Sequence, residues 1–188
     1  RVPLLIMDPS PTADVSRGIT CDDLVCAIDL VPTFVEWAGG EPQWHWLEGQ
    51  SLLPILHQTA IINRACVVSE CDYGVMNFAQ DLGRSMHNAR MTMLYDGRYK
   101  YVHCLGFNPM LFDLQEDPQE FSDLGTDPGY SAIRGQLSEQ MLDWSAGLKN
   151  CVTVSQETFG KQLNKAEQVG IEEHTSELQS RIPISYAV

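Results

Sequence analysis

The sequence RMTMLYDGRYKYVHC, residues 90–104, carries the clearest structural signal in the chain. Two strand-like runs, at residues 90–95 and 98–103, flank Asp96-Gly97. An Asp-Gly pair between such runs is typical of a tight β-hairpin, in which both central residues of a type I′ turn need positive φ. A third run near residues 110–114 predicts another antiparallel strand beside the hairpin.

A helix is predicted downstream of these strands, over residues 129–148. Asp127 suits the N-cap position and Pro128 suits the first helical position. Apolar side chains recur there at helical spacing, namely Tyr130, Ile133, Leu137, Met141, Trp144 and Leu148. This pattern predicts a helix that packs on the small antiparallel sheet.

Upstream, strand and helix signals alternate. Residues 3–7 (PLLIM) form an apolar run typical of a buried strand, and residues 65–70 form another. Asp29 is placed to cap a helix over residues 30–38, with Val31, Phe34, Val35 and Ala38 on its apolar face. One helical turn is expected within residues 51–56 and a loop over residues 72–86. The order predicts an α/β chain with a small C-terminal antiparallel sheet covered by a helix.

Composition excludes some classes of partner. The net charge of −13 disfavours non-specific binding to nucleic acid or to anionic membranes, because both require basic patches. No apolar run is long enough to cross a bilayer. The six cysteines form no Cys-x-x-Cys pair and no zinc-like spacing with histidine, so buried free thiols are expected and disulfides remain open.

Several phrases, in this order, resemble the C-terminal half of sulfatases and related proteins of the alkaline phosphatase superfamily. They are RVPLLI (1–6), RG (17–18), IDLVPT (28–33), GQSLLP (49–54), GRYKY (97–101) and LFDLQEDPQE (111–120). Within that superfamily, WSAGLKNCVTVS (144–155) is most similar to phosphonate monoester hydrolases and arylsulfatases. The resemblance implies that residues 1–64 are a remnant of an alkaline-phosphatase-like main sheet. It assigns residues 65–160 to a C-terminal subdomain and residues 161–188 to a tail.

The resemblance also implies a chemistry, which is metal-dependent hydrolysis of sulfate, phosphate or phosphonate esters. In that family a formylglycine, made from the Cys or Ser of a Cys/Ser-x-Pro-x-Arg motif, attacks sulfur or phosphorus. A divalent cation, Ca²⁺ or Mn²⁺, activates it and neutralises developing charge. No such motif occurs in this chain, and the family's metal motifs precede the RVP-like strand. We therefore expect a C-terminal fragment, inactive alone, with no catalytic residue and no metal ligand of its own.

Two carboxylates are the candidate substrate-pocket residues. Glu70 and Asp72 follow a predicted strand, and strand ends in α/β sheets often line a crevice. An ordinary strand-end role is the alternative, because two carboxylates alone do not define an acid and a base. Asp22-Asp23 resembles the family's metal-binding aspartate pair. Its position after the RVP-like strand is wrong for that role, so a turn is expected.

Other polar and aromatic residues have structural interpretations first. The five histidines lack ligand spacing. Trp44 and Trp46 suit loop packing, with a substrate or subunit contact as the alternative. Arg98 and Lys100 share one face of a predicted strand, which indicates a solvated face or, alternatively, a surface that attracts an anionic substrate.

Two functions remain open at this point, a hydrolase of sulfate or phosphonate esters and a non-catalytic scaffold or binding module that keeps the fold. The expected partner is a small-molecule ester bound by the parent protein, with no nucleic acid and no membrane. A homo-oligomer and the compartment, cytoplasmic or periplasmic, stay open. Residues 172–188 resemble translated sequencing adapter and are left out of the fold prediction.

Overall fold

The computed structural model describes residues 3–74, 81–83, 85 and 88–149. Within these residues one four-stranded antiparallel sheet forms, with the strands adjacent in chain order. The strands are β1 (Val67–Asp72), β2 (Arg90–Tyr95), β3 (Tyr99–Cys104) and β4 (Met110–Asp113). The predicted hairpin and third strand are confirmed, and the predicted strand at 65–70 begins two residues later than expected. Most of the predicted loop at 72–86 and the tail lie outside the described residues.

The hairpin turn differs from the prediction by one residue. The Asp96 amide donates to the Tyr99 carbonyl at 3.3 Å, so the central residues are Gly97 and Arg98 rather than Asp96 and Gly97. Of Asp96, Gly97 and Arg98, only Gly97 has a positive φ, which is 103°. The cause is the Asp96 carboxylate, which accepts from the amides of Arg98 (2.8 Å) and Tyr99 (2.7 Å) and so fixes Asp96 outside the turn centre.

The helices are short except for the last. The described α-helices are α1 (Leu30–Trp37), α2 (Leu53–Leu56) and α3 (Ser131–Gly147), with 3-10 helices at Pro11–Ser16, Ala27–Asp29 and Pro128–Tyr130. The Asp127 carboxylate accepts from the Gly129 amide at 2.8 Å, so the predicted cap is confirmed at the 3-10 helix Pro128–Tyr130, which leads into α3. No helix in the described part of the chain is long and apolar enough to span a bilayer.

One face of the sheet packs against α3 and forms the main apolar core. Leu94 and Leu111 are fully buried, and Tyr101, Leu137 and Met141 complete the buried cluster. Each buried leucine contributes about 1.5–3 kcal/mol relative to full exposure. The predicted inner face of the helix is therefore confirmed at its two central positions.

The outer edge of β4 is already occupied by the chain that follows it. The Leu111 amide donates to Asp123 Oδ1 at 3.0 Å, and the Leu111 carbonyl accepts from the Leu124 amide at 2.8 Å. The Asp113 carbonyl accepts from the Asp117 amide at 2.7 Å. These bonds use the groups that an added strand would need.

The predicted buried strand at residues 3–7 is wrong for this structure. The segment belongs to no sheet, and Leu5 and Met7 are 95% and 77% exposed. An extended run becomes a strand only where another segment supplies ladder hydrogen bonds. None of the described residues supplies them.

The predicted apolar face of α1 is also wrong. Val31 and Phe34 are exposed, whereas Pro32 and Thr33 are buried. Thr33 Oγ1 donates to the Asp29 carbonyl at 2.6 Å and accepts from the Leu52 amide at 2.8 Å. These two bonds turn the Thr33 side of α1 inward, which leaves the more apolar side outward.

The described residues 3–42 and 47–148 belong to one compact unit. Residues 43–46 and Lys149 belong to a second unit. In that second unit the Lys149 ammonium donates to the Trp44 carbonyl at 2.7 Å, and the His45 ring contacts Trp46 edge-on at 5.5 Å.

Candidate functional site

The two sequence-predicted pocket residues lie within β1 rather than after it. Glu70 and Asp72 are both exposed and point to the same face of the sheet by the two-residue strand period. The antiparallel register places Glu70 opposite Thr92 and Asp72 opposite Arg90. Asp72 Oδ1 also accepts from the Gly74 amide at 2.9 Å. Glu70, Asp72, Thr92 and Arg90 therefore form a polar strip on the sheet.

A cleft of about 520 Å³ lies elsewhere in the same compact unit and does not include these residues. Three short segments line it, at residues 22–24, 62–64 and 95–97. Asp22, Asp23 and Asp96 bring three carboxylates to its wall. Asp23 lies at a bend in the chain, and its Oδ2 accepts a long-range hydrogen bond from the Ile62 amide at 3.3 Å.

Arg64 is the one basic side chain among the residues that line the cleft, and its charge is already paired. Its two terminal nitrogens donate to Asp29 Oδ2 and Oδ1 at 2.7 and 2.6 Å, and Nη1 also donates to the Leu24 carbonyl at 3.0 Å. The bidentate geometry is the strong form of such a pair. The hydrogen bonds that Arg64 donates to Asp29 raise the pKa of Arg64 further above its usual value, although burial opposes this.

Asp29 is the most deeply buried carboxylate in the described chain, with no exposed surface. Besides Arg64 it accepts from the Cys26 amide at 2.7 Å and the Gln50 amide at 2.8 Å. Burial alone would raise the pKa of Asp29, but the bonds from Arg64 and the two amides outweigh burial and lower it. The expected helix-cap role is wrong, because the carboxylate makes no cap bond to α1.

A second charged cluster centres on Asp8. Its Oδ2 pairs with His57 Nε2 at 2.9 Å, while Oδ1 accepts from the Ser10 amide at 2.9 Å and from Trp37 Nε1 at 3.4 Å. Hydrogen bonds lower the pKa of Asp8 to about 2, and the bond with His57 has the largest effect. The cluster joins the start of the described chain to the ends of α1 and α2.

Arg98 and Lys100 are both engaged by carboxylates. Arg98 lies in the hairpin turn, and its Nε and a terminal nitrogen reach Asp113 at 3.1 and 2.6 Å. The Lys100 ammonium meets Glu120 Oε2 at 2.5 Å. The hydrogen bond from Arg98 lowers the pKa of Asp113 and outweighs burial. These two ion pairs connect residues 111–120 (LFDLQEDPQE) to the hairpin turn and to β3.

The residues of the cleft do not fit a divalent cation. In the described residues no group of three or more His, Cys, Asp or Glu side chains converges as metal ligands. Carboxylate oxygens of Asp23 and Asp96 already accept hydrogen bonds from backbone amides. Three carboxylates facing one neutralised guanidinium also disfavour an anionic ester. The cleft is therefore a poor candidate for the chemistry that the sequence resemblance implies.

The fold is similar to part of the fold of solved hydrolases. The phosphonate monoester hydrolase of Agrobacterium radiobacter superposes with a TM-score of 0.61 and 27% identity over 67% of this chain and 26% of that chain. Among curated proteins, the multifunctional alkaline phosphatase superfamily protein PehA of Trinickia caryophylli is 32% identical over 148 residues, 77% of this chain. Arylsulfatase K of Xenopus laevis is 30% identical over 155 residues, 81% of this chain.

These similarities define the class as sulfatase-like hydrolases of the alkaline phosphatase superfamily, as the sequence resemblance implied. More narrowly, the chain belongs to the family described as N-sulphoglucosamine sulphohydrolase, C-terminal, whose model matches residues 1–147. The chain spans only 28% of PehA and 26% of the Xenopus arylsulfatase K. The matched residues thus correspond to the C-terminal region that this family model describes.

Proposed function

We propose that this chain is the C-terminal part of a metal-dependent hydrolase of sulfate or phosphonate/phosphate esters. In this proposal it provides framework, and the nucleophile and metal ligands belong to an upstream part of the parent. The observation that carries the proposal is the family match over residues 1–147. The absence of a Cys/Ser-x-Pro-x-Arg motif from all 188 residues is consistent with it.

The charged residues of the described chain support a framework role. The buried or bridging carboxylates Asp8, Asp29 and Asp113 are each committed to a basic side chain and to backbone amides. A catalytic carboxylate or metal ligand needs free oxygen lone pairs directed at the reacting group. In the parent, the cation and formylglycine would supply Lewis acidity and the nucleophile, and these residues would hold the surrounding backbone in place.

The direct test is an activity assay on the purified 188-residue chain with aryl sulfate and aryl phosphonate esters. We expect no turnover above buffer with Ca²⁺ or Mn²⁺ present. Turnover that a chelator abolishes would contradict the framework role. The same preparation gives the oligomeric state by light scattering, which tests the homo-oligomer that the sequence left open.

A non-catalytic scaffold that keeps the fold is the alternative, and the upstream reading frame separates the two. A Cys/Ser-x-Pro-x-Arg motif and an Asp-His or Asp-Asn pair before Arg1 support the hydrolase. An intact upstream region without these motifs supports the scaffold. The substrate is expected to be a small sulfate or phosphonate ester in the first case only.

Glu70 and Asp72 remain proposed wall residues of the parent's substrate pocket. Their support is their exposure on one sheet face beside Arg90, which gives that strip both signs of charge. In the active parent, Glu70→Gln and Asp72→Asn are expected to change KM several-fold with little change in kcat. Unchanged KM and kcat in both variants would remove them from the pocket.

The proposed division into residues 1–64, 65–160 and 161–188 has physical support at its first boundary. The buried core residues that α3 covers, with their partly buried neighbours, all lie at or after Cys66. Limited proteolysis of the chain is expected to cut in residues 57–64 before it cuts within the sheet. Early cleavage within β2 or β3 would contradict this division.

A further inference from the structure

The face of the sheet that points away from α3 carries a row of sulfur-containing side chains. Leu94 packs toward α3, so its neighbour Met93 points to the opposite face, and so does Met91 two residues before Met93. The antiparallel register places Cys71 of β1 and Cys104 of β3 directly opposite Met91, one on each side. Directly opposite residues share a face of the sheet. Two thiols therefore flank one thioether, and a second thioether lies beside it.

Cys104 is the thiol nearer to Met91. The Arg90 carbonyl accepts from the Leu105 amide at 3.2 Å. The adjacent pair, Met91 and Cys104, is therefore of the non-hydrogen-bonded type, in which the Cα atoms are about 4.5 Å apart. Because backbone groups alternate along β2, those of Met91 point to β1. Cys71 and Met91 thus form a hydrogen-bonded pair, for which the Cα distance is about 5.5 Å.

Three sulfur atoms are within reach of one shared ion. Met91 and Met93 lie about 6.8 Å apart along β2, and the methionine side chain has three rotatable bonds with which to close that distance. Met91, Met93 and Cys104 are each half-buried. Met91 also packs against Tyr73 and Ala89, which are 3% and 0% exposed and cover it on one side.

These donors select a soft cation. Thiolate and thioether sulfur bind Cu(I), whereas Mg²⁺, Ca²⁺ and Mn²⁺ prefer oxygen ligands. The strand residues on this face include no Asp, Glu or His. Only two of the sulfur atoms belong to cysteines, so the site differs in kind from the clusters of His, Cys, Asp or Glu that the described residues lack.

We infer that Met91, Met93 and Cys104 form a binding site for a soft monovalent cation of the Cu(I) class, with Cys71 as the neighbouring thiol. Burial raises the pKa of the Cys104 thiol, so this thiol is protonated before the ion arrives. Binding is a ligand exchange in which the sulfur–metal bond forms, the thiol proton passes to solvent and no electron is transferred. The inference does not depend on the proposed function, because it uses only side chains of the sheet.

Competition with a chromophoric Cu(I) chelator, under a reductant and without oxygen, measures the affinity of the purified 188-residue chain. Cys104→Ser is expected to weaken binding of the tightest ion roughly 100-fold, and Met91→Leu with Met93→Leu roughly 10-fold. Proton release on binding is expected to be about one per ion in the unmodified chain. Unchanged affinity in Cys104→Ser or in the double methionine variant would overturn the inference.

Matched controls carry the same substitutions elsewhere in the chain. Cys21→Ser removes an exposed thiol and Met7→Leu a thioether that is 77% exposed, and both are expected to leave the affinity unchanged. Cys71→Ser is expected to weaken binding less than Cys104→Ser, because its hydrogen-bonded pairing places it farther from Met91. A larger loss in Cys71→Ser or in Cys21→Ser would place the thiolate ligand elsewhere and contradict the assignment.

The unmodified chain decides if a variant does not fold. Ag(I), another soft monovalent ion, is added while the methionine methyl resonances are followed by NMR. The methyl groups of Met91 and Met93 are expected to shift with the first equivalent, whereas those of Met7 and Met141 are expected to stay in place. Shifts confined to Met7 or Met141, or no shift at Met91 and Met93, would overturn the inference.

Discussion

The two halves of the described chain are stabilised in different ways. In the C-terminal half, β1–β4 and α3 bury a continuous apolar cluster around Leu94 and Leu111. In residues 3–64 polar side chains supply the long-range bonds, chiefly Asp8 and Asp29, each of which joins three segments. The same residues leave large apolar side chains such as Leu5 and Phe34 in solvent. The comparison indicates that one half carries its own core, whereas the other has its conformation fixed by polar bonds.

The largest expected effect tests the apolar core. Leu94→Ala removes a fully buried side chain and is expected to lower the free energy of unfolding by about 3–5 kcal/mol, through lost burial and the cavity left behind. Leu142→Ala, at a site 68% exposed on α3, is the control and is expected to cost under about 0.5 kcal/mol. Urea denaturation measures both. Equal losses would mean that the core is not where the structure places it.

The next effect tests the polar half. Asp29→Asn leaves the Arg64 guanidinium, whose side chain is 12% exposed, without its counter-charge, and is expected to cost about 3 kcal/mol. Asp14→Asn breaks an ion pair whose side chains are 46% and 62% exposed and is expected to cost under about 1 kcal/mol. Chemical denaturation of the two variants compares them. A small loss for Asp29→Asn would weaken the contrast between the halves.

A smaller effect is expected at the 3-10 helix that leads into α3. Asp127→Ala removes the bond to the Gly129 amide and is expected to destabilise the C-terminal half by about 1 kcal/mol. Asp143→Ala, within the same helix and exposed, serves as the control. Helical circular dichroism during thermal unfolding provides the readout. If both variants unfold at the same temperature, the cap contributes nothing measurable.

The smallest expected effect appears only in acid. The folded pKa of Asp8 is about 2, below its ordinary value of 3.8, so the unfolded chain takes up the proton first. The stabilisation from Asp8 is present above pH 4 and is lost as the pH falls through about 2. Asp8→Asn should flatten this part of the stability curve relative to Asp14→Asn. Parallel curves for the two variants between pH 5 and pH 2 would contradict the His57 pairing.

The features that the sequence predicted are those with local signals. The hairpin depends on Asp96 and Gly97, and the start of the last helix depends on Asp127 and Pro128, all within a few residues of the bonds they make. The cap signal at Asp29 was misleading, because its carboxylate bonds Gln50 and Arg64, which are 21 and 35 residues away. The spacing of residues along the sequence does not reveal hydrogen bonds between residues that are so far apart in the chain. For the same reason the cleft at Asp22, Asp23 and Asp96 could not be predicted.

The occupied edge of β4 has a consequence for how this protein would aggregate. Since the outward groups of Leu111 and the Asp113 carbonyl are already bonded, a further strand is obstructed on that side. Two molecules that pair through β1 would therefore present blocked edges at both ends. Stacking of the folded sheet would stop at a pair instead of continuing into a fibril.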